Sequence, residues 1–275
     1  MFQRMESQLR GNILKIVKLG GSVISDKSRP FSFRTRVVQR IAYEIREYLK
    51  VFPQCSLIMV HGGGSFGHPL VKEYNLQKGL VDETSLEGAS LTNNAMRELC
   101  MKISKILIKA GLHVFPLQTS ALFIREYGTK FIGAKIVKET ISKGFIPLLH
   151  GDLILDSTTG VSVLSGDEII VHLALTFKPL ETLFIVDVDG IYVNVDGKRK
   201  WLRRITLKEL DNLISHMGPS KGYDVTGGML YKLSQVRELL KVCEKVKIVN
   251  GLRKRNVFHA LAGDVFKGTI IVCEG

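Results

Sequence analysis

Short apolar runs, most of which end in or lead into glycine, constrain the fold of this chain most strongly. They are rich in Leu, Ile and Val and alternate with segments of helical periodicity. The runs are "ILKIVKLGG", "SLIMV", "GFIPLLHGDLIL", "TLFIVDVDG" and "VKIVNG". Strands that alternate with helices at these lengths favour a parallel arrangement. We therefore expect an α/β fold, with a mainly parallel central sheet covered by helices on both faces.

The helical patterns and one hairpin complete this expectation. Helices are predicted at about 36–51 and 84–111, and in "GDEIIVHLALTF" and "TGGMLYKLSQVRELLKVC". "HVFPLQ" is a further predicted strand, and "GDLILDSTTGVSVLSGD" predicts an inserted hairpin with "STTG" as its turn. No linker or repeat interrupts the pattern, so residues 1–275 are expected to form one large α/β domain or two tightly joined lobes.

Composition excludes several classes of protein. The chain has 275 residues, of which 45% are hydrophobic and 24% charged, as in an ordinary globular domain. No apolar run approaches the roughly 18 to 20 residues that span a bilayer, and the start "MFQRMESQLRGN" has no continuous apolar region, so a signal peptide is not predicted. Cytoplasm and no membrane partner are therefore expected. The cysteines, at positions 55, 100, 243 and 273, form no C-x-x-C pair and are expected to be buried free thiols.

The net charge of +13 indicates an anionic partner. Basic clusters occur in "GKRKWLRR" (197–204) and "LRKRN" (252–256), and the first is expected on an exposed hairpin or loop. Trp201 is the one aromatic residue that the first cluster offers, which is little for stacking bases. Small phosphorylated anions are therefore favoured over nucleic acid.

The first candidate site is "KLGGS", Lys18 to Ser22, at the end of the first strand. Two glycines let backbone N–H groups approach a phosphate, and Lys18 adds a positive charge. A plain tight turn with a surface lysine is the alternative interpretation.

The second candidate is "HGGGSFGH", residues 61–68, where Gly62, Gly64 and Gly67 match G-x-G-x-x-G. A dinucleotide site is disfavoured, because that pattern normally follows the first strand and here a complete strand–loop–helix unit precedes it. The glycines fit a loop that wraps an anion through backbone N–H groups, to which His68 adds a hydrogen bond. Either histidine can instead be an ordinary packed or exposed residue.

Two further candidates open helices. Asp167 in "LSGD" begins one of them, where it can also be a simple N-cap. "DVTGGM" (224–229) places a glycine pair before Lys232, an arrangement that suits a nucleotide phosphate or a capped helix with an exposed lysine. P-loop and protein-kinase motifs are absent from the sequence. Glycine turns, lysines and an aspartate together suit phosphoryl transfer, which needs two anions held in line and neutralised.

The order "KLGGS", "HGGGSFGHP", "HGD", "LSGD", "VDVDGIY", "DVTGGMxxK" resembles the amino acid kinase superfamily, from about residue 13 onward. "GSFGHP", "SVISDK" and "DVTGGM" are similar to its members that phosphorylate isopentenyl phosphate. The resemblance implies an open αβα sandwich, an acceptor lobe at about 13–165 and a nucleotide lobe at about 166–275. It also implies a homodimer.

The resemblance further implies a role for each motif residue. Catalysis would use Lys18, Lys27, His68, Asp167 and Lys232, with Asp167 organising the lysines. ATP would meet Lys18, Gly20, Gly21, Ser22, Gly64, Asp187, Gly228 and Lys232. The acceptor would meet Gly63, His68, Gly88 and Gly151.

The implied reaction is the transfer of phosphate from ATP, with Mg²⁺ on its phosphates, to isopentenyl phosphate. No protein-held metal is expected. Three alternatives stay open: another phosphate or phosphonate acceptor of the fosfomycin type, an amino acid carboxylate, or a nucleotide-binding sensor without turnover.

Overall fold

The computed structural model describes residues 13–26, 28–195, 198–216 and 227–273. Its helices are α1 (Gly21–Ile24), α2 (Thr35–Val51), α3 (Gly64–Glu73), α4 (Glu83–Lys109), α5 (Ala134–Ser142), α6 (Gly166–Phe177), α7 (Leu207–His216), α8 (Gly227–Leu239) and α9 (Asn256–Ala262). Its strands are β1 (Ile13–Leu19), β2 (Cys55–His61), β3 (Val114–Pro116), β4 (Phe123–Arg125), β5 (Thr129–Phe131), β6 (Ile146–His150), β7 (Asp152–Asp156), β8 (Gly160–Leu164), β9 (Glu181–Val186), β10 (Ile191–Val195), β11 (Lys198–Leu202), β12 (Arg204–Thr206), β13 (Lys245–Asn250) and β14 (Gly268–Val272).

Eight strands of the described residues form the central sheet, in the order β12-β14-β13-β9-β1-β2-β6-β3. Every neighbouring pair is parallel except β13 with β14. A smaller sheet, β5-β4-β7-β8, contains the hairpin expected around "STTG". The sequence prediction of a mainly parallel sheet between helices is confirmed.

Two separate hydrophobic layers explain why helices cover both faces. On β1, Val17 packs into the layer that contains α2, α4 and α9, whereas Ile16 packs into the layer that contains α6 and α8. Successive side chains of a strand point to opposite faces, so a strand buried on both sides reads as a continuous apolar run. No helix of the described residues is long and apolar enough to cross a membrane.

A buried ion cluster lies at the other end of the sheet from the glycine turns. Glu181 contacts the ammonium groups of Lys15 at 2.7 Å and Lys247 at 2.8 Å, and all three side chains are nearly inaccessible. The two lysines also donate to the carbonyl oxygens of Leu261 and Ala260, at the end of α9. Burial lowers the pKa of Lys247, against the attraction of Glu181. The cluster therefore joins β1, β9 and β13 to a helix end whose carbonyls lack partners within the helix.

Two expectations on surface features can be compared with the structure. Cys100 and Cys243 are buried free thiols, but Cys55 is half-buried and Cys273 is exposed, so the expectation was wrong for Cys273. Cys273 directly follows the last strand, β14, and the apolar run on its N-terminal side misled the interpretation. Residues 198–202 of the basic cluster do lie on a hairpin, as strand β11 paired with β10, and Lys267 Nζ lies 3.9 Å from the ring centroid of Trp201 there.

Candidate active site

One cavity of about 440 Å³ lies at the carboxyl ends of β1, β2, β6 and β9. This is the edge at which open α/β sheets bind ligands, and the volume suits a small molecule. Of the residues that the sequence singled out, those that line the cavity are Lys18, Gly20, Gly21, Ser22, Gly62, Gly63, Gly67, His68, Gly151, Asp167, Asp187 and Lys232. The tertiary structure thus brings together motifs that are far apart in the chain.

Two lysines and one aspartate form a largely buried ionic group at the wall of this cavity. Asp167 Oδ1 lies 2.6 Å from Lys18 Nζ and 2.8 Å from Lys232 Nζ. Burial alone would raise the pKa of Asp167, but the attraction of the two lysines outweighs it and holds this pKa below its usual value. The carboxylate is therefore ionised at neutral pH, and it fixes two cations side by side at the cavity wall.

The local structure explains how Asp167 reaches both lysines. Ser165, rather than Asp167, is the N-cap of α6, since its side chain accepts a hydrogen bond from the Glu168 N–H at 3.1 Å. Asp167 lies in the first turn, and its carboxylate is directed to the lysines. Lys18 comes from β1 and Lys232 from α8, so three separate elements supply the group.

The glycine turns after β1 and β2 are in backbone contact with each other. A Cβ on Gly21 would lie 2.8 Å from Gly64 Cα, and a Cβ on Gly20 would lie 2.6 Å from the Ile185 carbonyl oxygen. Both distances are shorter than real contacts allow, so glycine is needed here for packing as well as for access to a ligand. Gly64 is not among the residues that line the cavity.

Gly64 offers a stability prediction, because its φ of +52° combines with a Cβ position 2.2 Å from Ser25 Oγ. We expect Gly64→Ala to lower the free energy of unfolding by about 2–4 kcal/mol, from backbone strain and overpacking together. Gly144 is the matched control, with φ +82° and nothing within 4 Å of its Cβ position. Gly144→Ala should lose only about 1 kcal/mol. Urea unfolding measures both, and equal losses would contradict the packing argument.

The segment "SFGH" is helical, which corrects the expectation of one continuous loop. Helix α3 begins at Gly64, and His68 is an exposed residue of its second turn that lines the cavity. His61, at the other end of the segment, ends β2 and is fully buried. The two histidines thus have different environments. Burial, with His150 adding to it, lowers the pKa of His61 to about 3, so its ring is neutral.

The end of the cavity beside His68 has an apolar wall. Gly63 and Gly67 face the thioether of Met96, whose sulfur lies 3.3 and 3.0 Å from the Cβ positions of these glycines. The residues that line this wall together with Met96 are Val71, Thr92, Leu153, Val163 and Leu164. Sequence reasoning missed all of them, because a cavity-facing Met or Val in a helix or strand looks like any core residue.

Asp152 is a second buried carboxylate of the cavity that the sequence analysis missed, although it follows Gly151 in "HGD". Its oxygens accept hydrogen bonds from Asn93 at 3.2 Å, Gln118 at 2.6 Å and the Ser120 N–H at 3.2 Å. Burial raises the pKa of Asp152, while the nearby His150 and hydrogen bonds from Ser120 and from the Leu153 N–H oppose the shift. The carboxylate therefore ties helix α4 to the floor of the cavity.

The remaining expected residues fall at three kinds of position. At the end of the cavity opposite the apolar wall, Ser22 Oγ donates to Asp187 Oδ1 at 2.7 Å. Gly88 lies outside the cavity lining, and a Cβ there would meet the ring of Tyr74 at 2.2 Å. Gly228 lies in the first turn of α8. Lys27 and residues 224–226 of "DVTGGM" lie outside the described residues.

A cavity with this lining can hold two linked anions. Backbone N–H groups at the starts of α3 and α6 and the two lysines supply positive potential, and Asp167 keeps the lysines in place. The arrangement is that of a phosphotransferase, in which cations neutralise a phosphoryl group in transit.

The chain belongs to the amino acid kinase family, whose family profile matches residues 14–250. It is similar to two curated isopentenyl phosphate kinases. The protein of Methanocaldococcus jannaschii is 33% identical over 266 residues, with 94% of this chain and 98% of the relative covered. That of Methanothermobacter thermautotrophicus is 36% identical over 270 residues, with 93% and 98% covered.

Solved structures of the same kind share the fold. The product complex of the Thermoplasma acidophilum isopentenyl phosphate kinase superposes with a TM-score of 0.75 at 27% identity. The match covers 94% of this chain and 99% of the other. The likeness therefore extends over nearly the whole of both chains.

Proposed function

We propose that this protein transfers the γ-phosphoryl group of ATP to isopentenyl phosphate, giving isopentenyl diphosphate and ADP. One observation carries the proposal: a single cavity joins the buried Lys18–Asp167–Lys232 group to an apolar wall beside Gly63 and His68. Such a cavity suits an acceptor with a phosphate head and a short hydrocarbon tail. Full-length relatives named for this reaction support the assignment.

Phosphoryl transfer requires little covalent chemistry from the protein itself. The acceptor phosphate is already an oxyanion, so no strong general base is needed. The difficulty is bringing two anions together, and Lys18 and Lys232 reduce their repulsion while Asp167 fixes both ammonium groups. ATP enters with its magnesium ion, which binds mainly through phosphate oxygens. Lys27 is proposed as a further cation from the resemblance alone.

We propose that the nucleotide and the acceptor bind at opposite ends of the cavity. The turn at Gly20–Ser22, with Asp187 and the start of α8 at Gly228, serves the nucleotide. Gly63, Gly151 and His68 serve the acceptor phosphate, and the wall around Met96 contacts its tail. The acceptor lobe of about 13–165 and the nucleotide lobe of about 166–275 follow from this division. Gly88 contributes by packing α4 against Tyr74.

His68 is proposed to donate a hydrogen bond to the acceptor phosphate. We expect His68→Ala to lower kcat/KM for isopentenyl phosphate about ten- to a hundredfold, because a charge-assisted bond contributes on the order of 1.5–3 kcal/mol. His68→Gln, which keeps a donor, should retain more activity than alanine. Steady-state kinetics with each substrate varied measures the effect.

ATP binding is the internal control for His68, since the nucleotide lies at the other end of the cavity. Calorimetry should give His68→Ala the ATP affinity of the wild type. If activity per folded molecule is unchanged in both variants, His68 merely packs beside Pro69 and the phosphate-acceptor assignment is wrong.

The proposed reaction itself is tested by incubating the protein with ATP and isopentenyl phosphate and detecting the product by mass spectrometry. Parallel incubations with fosfomycin and with N-acetylglutamate test the other acceptor classes, a phosphonate and a carboxylate. Turnover of isopentenyl phosphate alone supports the proposal. ATP binding without turnover of any acceptor would instead indicate a nucleotide sensor.

A homodimer is the assembly that the resemblance implies, and we propose it here together with a cytoplasmic location. Strand β3 is at the edge of the central sheet, and Phe115 on it is 46% exposed and in ring contact with the half-exposed Phe145. Apolar side chains at an exposed sheet edge are typical of a protein interface. Light scattering of the purified protein measures the assembly directly.

A further inference from the structure

Two buried histidines repeat the same local arrangement at the ends of neighbouring strands. His61 ends β2 and His150 ends β6, and the two are paired in the parallel register. Their rings stack with centroids 5.4 Å apart, and both side chains are buried. Each is followed by a glycine, Gly62 or Gly151, whose carbonyl oxygen lies 3.1 or 3.0 Å from the Nδ1 atom of the preceding ring.

The hydrogen-bond partner of the His61 ring, the Gly62 carbonyl oxygen, determines which ring nitrogen carries the proton. A carbonyl oxygen only accepts, so Nδ1 must carry the hydrogen and donate it to the Gly62 oxygen. The ring is neutral because of its burial, and Nε2 is therefore the unprotonated acceptor nitrogen, without a hydrogen-bond partner among the described residues. His61 is thus neither a cation for phosphate nor exposed to substrate, although it is next to the glycine turn.

The hydrogen bond to the Gly62 carbonyl determines the orientation of the following peptide group. In a trans peptide the C=O and the next N–H point in opposite directions, and the described residues contain no cis peptide. The Gly62 N–H is held by the Leu19 carbonyl at 3.0 Å. With the Gly62 oxygen held inside by His61, the Gly63 N–H is turned to the opposite side, where Gly63 lines the cavity.

Glycine alone would not select this orientation. Glycine is favoured at position 62 because a Cβ there would lie 3.0 Å from the Gly21 nitrogen. The backbone dihedrals of a glycine are, however, the least restricted of any residue. The buried imidazole of His61 restricts the orientation of the peptide group through its hydrogen bond to the Gly62 carbonyl oxygen. The turn therefore combines a residue that permits the required peptide orientation with a neighbour that selects it.

We propose that His61 is a positioning residue that presents the Gly63 N–H to the phosphate of a phosphomonoester acceptor. The inference rests on the proposed function, since it assigns the acceptor phosphate to the Gly63 end of the cavity. It adds a buried residue, which touches no substrate, to the recognition of the acceptor. His61 acts through the backbone of Gly62 and Gly63.

Amide side chains provide a direct test, because Asn places an N–H near the position of the histidine Nδ1 and Gln near that of Nε2. We expect His61→Leu and His61→Gln to raise KM for isopentenyl phosphate about tenfold, as one phosphate hydrogen bond is lost. His61→Asn should stay within about threefold of the wild type, because it restores the donor. KM for ATP should be unchanged in all three variants. The surface control is His113→Leu, which replaces an exposed histidine at the far end of the sheet.

Calorimetric titration with isopentenyl phosphate, without nucleotide, should give the same ranking of the variants. The positioning role would be overturned if His61→Asn bound isopentenyl phosphate as weakly as His61→Leu. It would also be overturned if the variants lost affinity for ATP to the same extent. If His61→Leu does not fold, the comparison of Asn with Gln decides, since both are polar and similar in shape. Failure of the wild-type protein to bind or turn over isopentenyl phosphate would refute the proposed function instead.

Discussion

Replacing Lys18 by methionine is expected to lower kcat by on the order of a hundred- to a thousandfold, the usual effect of removing one preorganised charge from a transition state. Methionine is similar in length but neutral, so it removes the ammonium group 2.6 Å from Asp167 with little change in volume. The fold should persist, because Asp167 keeps Lys232 at 2.8 Å as a partner. ATP binding should weaken far less than turnover.

Lys15 is the matched control for Lys18. It is also a buried lysine of β1, but its ammonium group pairs with Glu181 in the cluster away from the cavity. Lys15→Met should lose stability while activity per folded molecule remains that of the wild type. A Lys18→Met protein with kcat within threefold of the wild type would remove this lysine from the mechanism.

The largest expected effect on stability is that of Glu181. Glu181→Leu leaves Lys15 and Lys247 buried without a counter-charge, and breaking a buried ion pair in this way typically destabilises by about 3–5 kcal/mol. That is a large fraction of the roughly 5–15 kcal/mol stability of an ordinary domain. Urea unfolding should therefore shift to a much lower midpoint, and Glu181→Gln should be intermediate.

A combined substitution separates lost charge balance from lost packing. Replacing Lys15 and Lys247 by methionine together with Glu181→Leu removes all three charges, and such replacements are often close to neutral. We expect the triple variant to recover most of the stability that Glu181→Leu alone loses. If it is no more stable than Glu181→Leu, packing rather than unpaired charge explains the loss.

Local patterns were sufficient for the main elements of the fold. The helix predicted at about 36–51 is Thr35–Val51, and that predicted at about 84–111 is Glu83–Lys109. These are long segments with strong periodicity, which is what such patterns identify best. The shorter pieces, such as β4, β5 and α9, were not predicted. They span seven residues or fewer and are stabilised by neighbours that are distant in the chain.

The strand–helix alternation and the glycine turns can be read from the amino-acid sequence, because backbone geometry and side-chain period are local properties. The sequence also shows which motifs carry lysine, aspartate and histidine. The packing of the folded chain shows that Lys18 and Lys232 both contact the same carboxylate oxygen of Asp167. It also shows that His61 is buried against His150, whereas His68 is exposed. These facts depend on the packing of strands and helices from opposite halves of the chain, which no local pattern records.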